Sequence, residues 1–173
     1  MDAEHLDFQD ETFDAVTCGF GIFFCPDMAV ALSEMRRVCK AGGYVGVSVF
    51  NKTPPFQTPA GPLLGEQLSA YGVKWQLAAS HQERFSPEEV AALFGPVGFR
   101  AVDLRCETNE IVYANPEDNW TSLIGSTARA TIFSMNERTR DRFKDEYLAK
   151  LRALLHPDGL HVDIGVIYAL ARR

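Results

Sequence analysis

The sequence is poor in cysteine and has neither a long apolar run nor an excess of positive charge. Its 173 residues include four cysteines, none in a C-x-x-C pair, which indicates neither a disulfide scaffold nor a zinc site. No apolar run approaches the roughly 18 residues that a membrane-spanning helix needs. The acidic start lacks the apolar segment of a signal peptide. These absences predict a cytoplasmic protein with reduced thiols, no metal and no membrane partner.

The charge balance excludes a further class of function. The net charge is −6 and the isoelectric point is near 5.2, whereas a nucleic-acid-binding protein needs a basic face for phosphates. Hydrophobic residues make up 46% and charged residues 23% of the chain, which is typical of a folded globular protein. We therefore expect residues 1–173 to form one domain that does not bind nucleic acid.

A strand–helix–strand unit is predicted near the start of the chain. Residues 13–19 (FDAVTCG) form a short apolar run typical of a buried strand. Asp27 can cap the helix that follows, and Gly42-Gly43 should end that helix, one of them in the left-handed conformation. Residues 44–50 (YVGVSVF) are almost continuously apolar, as in a parallel strand covered on both faces. The apolar positions of the predicted helix recur at helical spacing: Met28, Ala31, Leu32, Met35 and Val38.

Beyond residue 50 the pattern predicts a proline-rich loop, more helices and two more strands. Ser86-Pro87-Glu88-Glu89 is a strong helix start, since Ser86 and Glu89 can form a capping box. The remaining predicted elements are a loop over 51–62, an irregular helical stretch over 63–79, strands over 99–106 and 161–171, a short helix over 116–127 and a longer helix from Asn136. This alternation indicates an α/β fold with a mostly parallel sheet.

Three linked segments near the start of the chain match motifs that occur together in one enzyme family. Residues 2–8 (DAEHLDF) correspond to a D-A-x-x-L-P-F-like motif, and residues 10–16 (DETFDAV) to D-x-x-F-D-x-V. Residues 34–43 (EMRRVCKAGG) correspond to E-x-x-R-V-x-K-x-G-G, with Ala41 in place of the usual proline. With these motifs the chain resembles the class I S-adenosylmethionine-dependent methyltransferases, in the branch related to ubiquinone and menaquinone biosynthesis. The likeness covers the chain more loosely after Phe50, through 85–99 and the closing run 166–171.

The resemblance implies a partial Rossmann-like sheet with helical insertions. The strands here would be equivalent to strands 4, 5, 6 and 7 of the family's 3-2-1-4-5-7-6 order, the last of them antiparallel. Residues 1–50 would form the cofactor-side half, and 51–80 and 116–157 the substrate-side helical insertions. The family's glycine-rich Gly-x-Gly segment has no counterpart after Met1, so about 60–90 residues are expected to be missing. A miscalled start, a fragment and a true loss remain alternatives, and the activity of the chain as it stands is expected to be impaired.

The resemblance also implies S-adenosylmethionine as cofactor. Asp2 would accept a hydrogen bond from the adenine amino group, with the Ala3 backbone at the ring edge; alternatively, Asp2 is a solvated acid at a frayed terminus. Cys18, Gly19 and Phe20 would lie beside the methionine moiety, where glycine allows close backbone approach. Cys18 as a nucleophile is disfavoured, because the sequence places no basic partner near it.

Aromatic side chains are the candidates for the remaining site. Phe20 or Phe23 could face the sulfonium by cation–π attraction, or could simply belong to the core. The candidate substrate-lining residues are Phe23, Phe56, Trp75, Trp120 and Phe133. No catalytic base is assigned: the four histidines, His5, His81, His156 and His161, lie outside recognised catalytic motifs and are expected on the surface.

The implied reaction is methyl transfer to an O, N or C atom of a small molecule, in which positioning supplies most of the rate. A second class of function competes with it. If the first three strands are absent, the strand at 13–19 becomes an unpaired sheet edge, which invites pairing with another chain. The protein would then be a non-catalytic remnant or an interaction module, and the same edge offers a surface for a homodimer or a swapped dimer.

Overall fold

The structure is a computed structural model in which residues 1–52, 58–74, 84–99, 101–126 and 128–173 are described. Strands and helices alternate over the first half of the chain, and three helices precede the last strand. The elements are β1 (Phe13–Gly19), α1 (Met28–Val38), β2 (Cys39–Asn51), α2 (Leu63–Ala70), β3 (Arg84–Phe85), α3 (Pro87–Phe94), β4 (Val102–Tyr113), α4 (Pro116–Ile124), α5 (Ala128–Phe133), α6 (Glu137–Arg152) and β5 (Leu160–Arg172).

The described strands form one mixed sheet in the order β1-β2-β5-β4. β1 runs parallel to β2, with Ala15 opposite Tyr44 and Gly19 opposite Ser48. β5 runs antiparallel to β2, and the short β3 pairs with the end of β2. The α/β class, the parallel pairing and the antiparallel last strand are thereby confirmed. The order also matches the 4-5-7-6 part of the expected sheet.

The chain divides into two compact units. The first contains Met1–Pro54, Ser80–Glu107 and Gly165–Arg173, and the second contains Pro55–Ala79 and Thr108–Ile164. Each has its own apolar core. The first core joins α1 and α3 to one face of the sheet, including Leu32, Val47 and Ile167. The second core is built mainly from α2, α4, α5 and α6 and centres on Phe143 and Leu151.

Local capping signals in the sequence are confirmed. The Asp27 carboxylate accepts hydrogen bonds from the N–H groups of Ala29 and Val30, at 2.9 and 3.2 Å. Ser86 and Glu89 form the expected reciprocal capping box of α3. The Asn136 side chain likewise accepts from the Thr139 N–H at 2.9 Å and begins α6. These side chains satisfy N–H groups that a helix start leaves without a backbone partner.

Two features of the first unit differ from the expectation. Helix α1 ends at Val38, and the next residue is already extended in β2, so the glycine pair does not end the helix. Gly42 does adopt a left-handed φ of +81°, but within the strand. β1 is also less buried than predicted, because within the described residues it lies at the sheet edge and four of its residues are exposed: Asp14, Ala15, Thr17 and Gly19.

In the first unit, the face of the sheet opposite α1 and α3 leaves several large side chains exposed. Tyr44, Tyr168 and Leu170 project from it and are 46%, 39% and 43% exposed. The register places these residues on one face, since Gly46 lies opposite Leu170 and Ser48 opposite Tyr168. The expectation that 44–50 would be covered on both faces is therefore wrong at Tyr44. Helices α1 and α3 share the first apolar core with Val45, Val47 and Val49 of β2.

All four cysteines are free: Cys18, Cys25, Cys39 and Cys106. Among the described residues, none of the helices combines the length and the apolar character required to cross a bilayer.

We predict that Gly43→Ala destabilises the protein. An added Cβ would lie 2.6 Å from the Asp14 carbonyl oxygen and 2.8 Å from Cys39 Sγ, which is closer than packed atoms tolerate. The free energy of unfolding in urea should fall by about 1–3 kcal/mol. Gly95→Ala is the matched control, because nothing lies within 4 Å of that Cβ. An equal loss of stability in both variants would contradict the steric explanation.

Candidate functional site

The candidate site lies where the parallel strands β1 and β2 end. β1 ends at Gly19 and β2 at Asn51, and in parallel sheets such carboxyl ends meet at one edge, where ligands bind. Asn51 is almost fully buried. Phe20 follows β1 directly and packs its ring 4.8 Å from that of Phe50. At this edge of the sheet in the first unit, exposed backbone therefore lies next to the packed rings of Phe20 and Phe50.

Phe20 carries backbone strain at this edge. Its φ is +50°, a left-handed conformation that costs a non-glycine residue about 1–3 kcal/mol. The Phe20 N–H donates to the Ser48 carbonyl oxygen at 3.0 Å and lies 3.2 Å from Ser48 Oγ. This bonding to the neighbouring strand holds the strained conformation in place. Strained residues of this kind concentrate at functional sites.

Gly19 leaves open space beside the strand end. An added Cβ would meet only Ser48 Oγ, at an ordinary 3.7 Å, and the residue is exposed. Packing within the protein therefore does not require glycine at this position, and close approach of a ligand to the backbone remains a physical reason for it. By contrast, a Cβ at Gly21 would lie 3.0 Å from Cys18 Sγ.

The thiols near the strand end are poorly suited to nucleophilic chemistry. Burial raises the pKa of the Cys18 thiol above its ordinary value, so the reactive thiolate is disfavoured. Burial also raises the pKa of Cys25, and the charges of Cys18, Glu4 and Asp2 raise it further.

Asp2 and Ala3 lie in an exposed turn at the start of the chain. The Asp2 carbonyl oxygen accepts from the His5 N–H at 3.1 Å, and Asp2 Oδ1 accepts from the Glu4 N–H at 3.0 Å. The Asp2 side chain is 65% exposed. Its carboxylate therefore remains accessible to an external donor, although the turn already uses one of its oxygens.

Three of the predicted lining residues lie in the described part of the chain: Phe23 in the first unit, and Trp120 and Phe133 in the second. Phe23 is buried in the first core, and Trp120 is buried in the second core against Phe143 and Tyr147. Phe133 is exposed, with the guanidinium groups of Arg129 and Arg140 over its ring. Phe56 and Trp75, like His81, lie outside the described residues. The assignment of these aromatic residues to a substrate wall stays a prediction.

The second unit contains a cavity of about 330 Å³ that sequence reasoning missed. Its polar wall comes from His156, His161, Asp158 and Glu110, and its other lining residues are Thr58, Pro59, Ala60 and Leu154. His161 Nδ1 lies 2.9 Å from Glu110 Oε1, and Nε2 lies 3.1 Å from Asp158 Oδ1. Since Glu110 is far from His161 in the chain, no local pattern could have revealed this cluster.

The two carboxylates favour the charged form of His161. The hydrogen bond to Asp158, followed by that to Glu110, raises the pKa of His161 above its ordinary value. In return, the His161 ring lowers the pKa of Asp158. Both ring nitrogens are engaged, so His161 is badly placed to act as a base. Within the described part of the chain, no group of three or more His, Cys, Asp or Glu side chains could hold a metal ion.

Comparison with known proteins gives the class first. The family model of a methyltransferase domain matches residues 1–47. A solved structure from Bacillus halodurans, proposed to be a methyltransferase, superposes with a TM-score of 0.59 at 20% identity, covering 99% of this chain and 75% of that one. The fold is therefore that of the class I methyltransferases.

Curated sequence relatives narrow the family. The chain is 36% identical over 115 residues to the ubiquinone/menaquinone biosynthesis C-methyltransferase UbiE of Geobacter sulfurreducens, covering 61% of this chain and 44% of that protein. It is 34% identical over 123 residues to a demethylmenaquinone methyltransferase of Staphylococcus carnosus, covering 64% and 50%. Over the matched stretch the chain is similar to these methyltransferases, and it spans about half of their length.

The pKa of His161 yields a prediction. A pKa raised on folding means that the charged His161 cluster stabilises the protein fully below pH 6.5. That contribution is lost as the pH rises through the higher folded pKa. In an NMR titration, Glu110→Gln and Asp158→Asn should each lower the pKa of His161. Asp141→Asn, at an exposed carboxylate on α6, is the control, and an unchanged titration in both cluster variants would refute the ion pairing.

Proposed function

We propose that the protein takes part in methyl transfer from S-adenosylmethionine to a small-molecule acceptor, as a cytoplasmic enzyme. One observation carries the proposal. Where the parallel strands β1 and β2 end, Gly19 is exposed and the next residue, Phe20, holds a strained left-handed conformation. The family match over residues 1–47 supports the same reading. The chain spans about half the length of its relatives. Within it, the segment at 1–50 would supply one side of the donor site.

The residues present fit the adenosine and methionine ends of this cofactor. The exposed Asp2 carboxylate can accept a hydrogen bond from the adenine amino group, with the Ala3 backbone at the ring edge. Cys18 and Gly19 border the methionine end, where no Cβ obstructs the backbone of Gly19. Phe20 presents an aromatic ring at the same edge, and such rings attract cations.

The role of the protein residues in the reaction is to position the two reactants. The bound cofactor would supply an electrophilic methyl group on a sulfonium. Residues at the carboxyl ends of β1 and β2 hold it in one orientation, which converts a collision into an intramolecular encounter. Burial keeps Cys18 in its thiol form, so the protein contributes orientation and not a competing nucleophile.

An aromatic ring of the quinone type is the acceptor that the relatives favour, with carbon as the accepting atom. The support is the 36% and 34% identity to proteins named for ubiquinone and menaquinone biosynthesis and for demethylmenaquinone methylation. The acceptor would contact the substrate-side insertions, whose candidate residues are Phe56, Trp75, Trp120 and Phe133, together with Phe23 of the cofactor-side half.

Calorimetry with S-adenosylhomocysteine tests the donor site. The unmodified protein should bind this product, and Asp2→Ala should weaken binding because a hydrogen bond to a charged group is lost. That bond is worth about 1.5–3 kcal/mol, or roughly ten- to a hundredfold in Kd. Asp7→Ala removes another exposed carboxylate of the same segment and should leave Kd unchanged. Absence of binding by the unmodified protein would rule out the donor site in this chain.

We infer a second candidate function from the sheet: association through its edge. Within the described residues β1 pairs with β2 alone, so its other side leaves N–H and C=O groups ready for another strand. The uncovered face beside it exposes Tyr44, Tyr168 and Leu170. Apolar surface next to an open edge favours a homodimer, a swapped dimer or a larger partner.

Leu170→Lys should disrupt such association. Leu170 is 43% exposed on the uncovered sheet face, whereas Leu155, after α6, is 45% exposed in the other unit. Sedimentation velocity over a range of concentrations should show a dimer that Leu170→Lys shifts to monomer, because a charge must then be buried. Leu155→Lys is the control. A protein that is monomeric throughout, or equal effects of both variants, would eliminate self-association through this face.

A further inference from the structure

Arg37 connects helix α1 to the segment that precedes β1. Its Nε and Nη2 donate to the two carboxylate oxygens of Glu34 at 2.7 and 2.8 Å. Nη2 also donates to the Leu6 carbonyl oxygen at 2.8 Å, and Nη1 donates to the Phe8 carbonyl oxygen at 2.8 Å and to Asp10 Oδ1 at 2.7 Å. We call this arrangement the Arg37–Glu34 clamp.

Glu34 completes the clamp from the same helix. Its carboxylate accepts from the Leu6 N–H at 2.9 Å, so the peptide groups on both sides of Leu6 are engaged. Arg37, and then the Leu6 N–H, lower the pKa of Glu34 to about 2. The carboxylate therefore stays charged and the clamp intact across the neutral range, since protonation begins only in strong acid.

The clamp makes more contacts than an ion pair between two side chains of one helix. An i,i+3 ion pair on a helix surface needs only the two side chains, but here Arg37 also binds two backbone carbonyl groups of another segment. The planar, five-donor guanidinium can do this, and a lysine ammonium cannot reproduce it. With Glu34 19% and Arg37 31% exposed, the clamp is shielded from much of the solvent.

The turn at residues 2–5 is anchored on both sides. Glu4 Oε1 accepts from the Asp27 N–H, at the start of α1, at 2.5 Å. On the other side, Leu6 is held by the clamp. Asp2 itself is fixed by its hydrogen bonds to Glu4 and His5. The position of the Asp2 carboxylate therefore depends on α1, although Asp2 makes no bond to Arg37.

We propose that Arg37 is a positioning residue for adenine recognition, which it supports through residues 2–8 and not by contact with the cofactor. The inference rests on the proposed function, in which Asp2 reads the adenine amino group. On this inference, the protein needs the Arg37–Glu34 clamp to distinguish a ring with an amino group at that position from a ring without one. Loss of the clamp should therefore erase selectivity more than it weakens binding in general.

Two ligands separate these effects: S-adenosylhomocysteine and S-inosylhomocysteine, in which an oxo group replaces the amino group. The unmodified protein should prefer the adenine form by about tenfold or more, since an oxo group cannot donate to Asp2. In Arg37→Gln the ratio of the two Kd values should fall toward 1, and Arg37→Lys should not restore it. Arg105→Gln, which breaks an exposed ion pair with Glu107 on β4, should keep the ratio.

The outcomes distinguish this inference from the function on which it rests. If Arg37→Gln weakens both ligands equally and keeps the ratio, Arg37 is merely structural and the inference is wrong while the donor site stands. If the unmodified protein binds neither ligand, or binds both alike, the proposed recognition fails and the inference with it. Should Arg37→Gln not fold, Asp10→Ala removes a single bond of the clamp and should lower the ratio partially.

Discussion

The parallel register between β1 and β2 is the constraint on which the rest of the first unit depends. Ala15 lies opposite Tyr44, and the pairing continues without interruption to Gly19 opposite Ser48. Because the two strands run the same way, both carboxyl ends reach one edge. Phe20 can then bond to Ser48 and pack on Phe50. A shift by one residue would turn the buried Val45 and Val47 outward.

Polar contacts hold the segment that precedes β1, which lies outside the apolar core. The segment before β1 is mostly exposed, so it cannot be held by apolar burial alone. The Arg37–Glu34 clamp, with backbone bonds from Glu11 to Arg37 and from Thr12 to Val38, ties it to α1. The same residues that match a methyltransferase domain thus form a mechanical link. The ion pair between Arg37 and Glu34 therefore also helps to fix the position of Asp2.

The two candidate functions use different parts of the sheet in the first unit. Cofactor binding would use the carboxyl ends of β1 and β2, whereas association would use the free side of β1 and the uncovered face. A partner on that face need not block the strand ends. The chain spans about half the length of the relatives that it matches, and the proposed donor site would have one of its sides in this chain.

Short-range signals determined much of the fold. The residues themselves indicated the α/β class, the β1–α1–β2 unit, the capping by Asp27 and Ser86 and the start of a helix at Asn136, because caps and periodicity act over a few neighbouring residues. The antiparallel last strand was expected only from the family resemblance. Only tertiary structure decided the early end of α1, the exposure of β1, the reach of Arg37 to Leu6 and Phe8, and the meeting of Glu110 with His161. These depend on which distant segments pack together, and chain spacing carries no record of that.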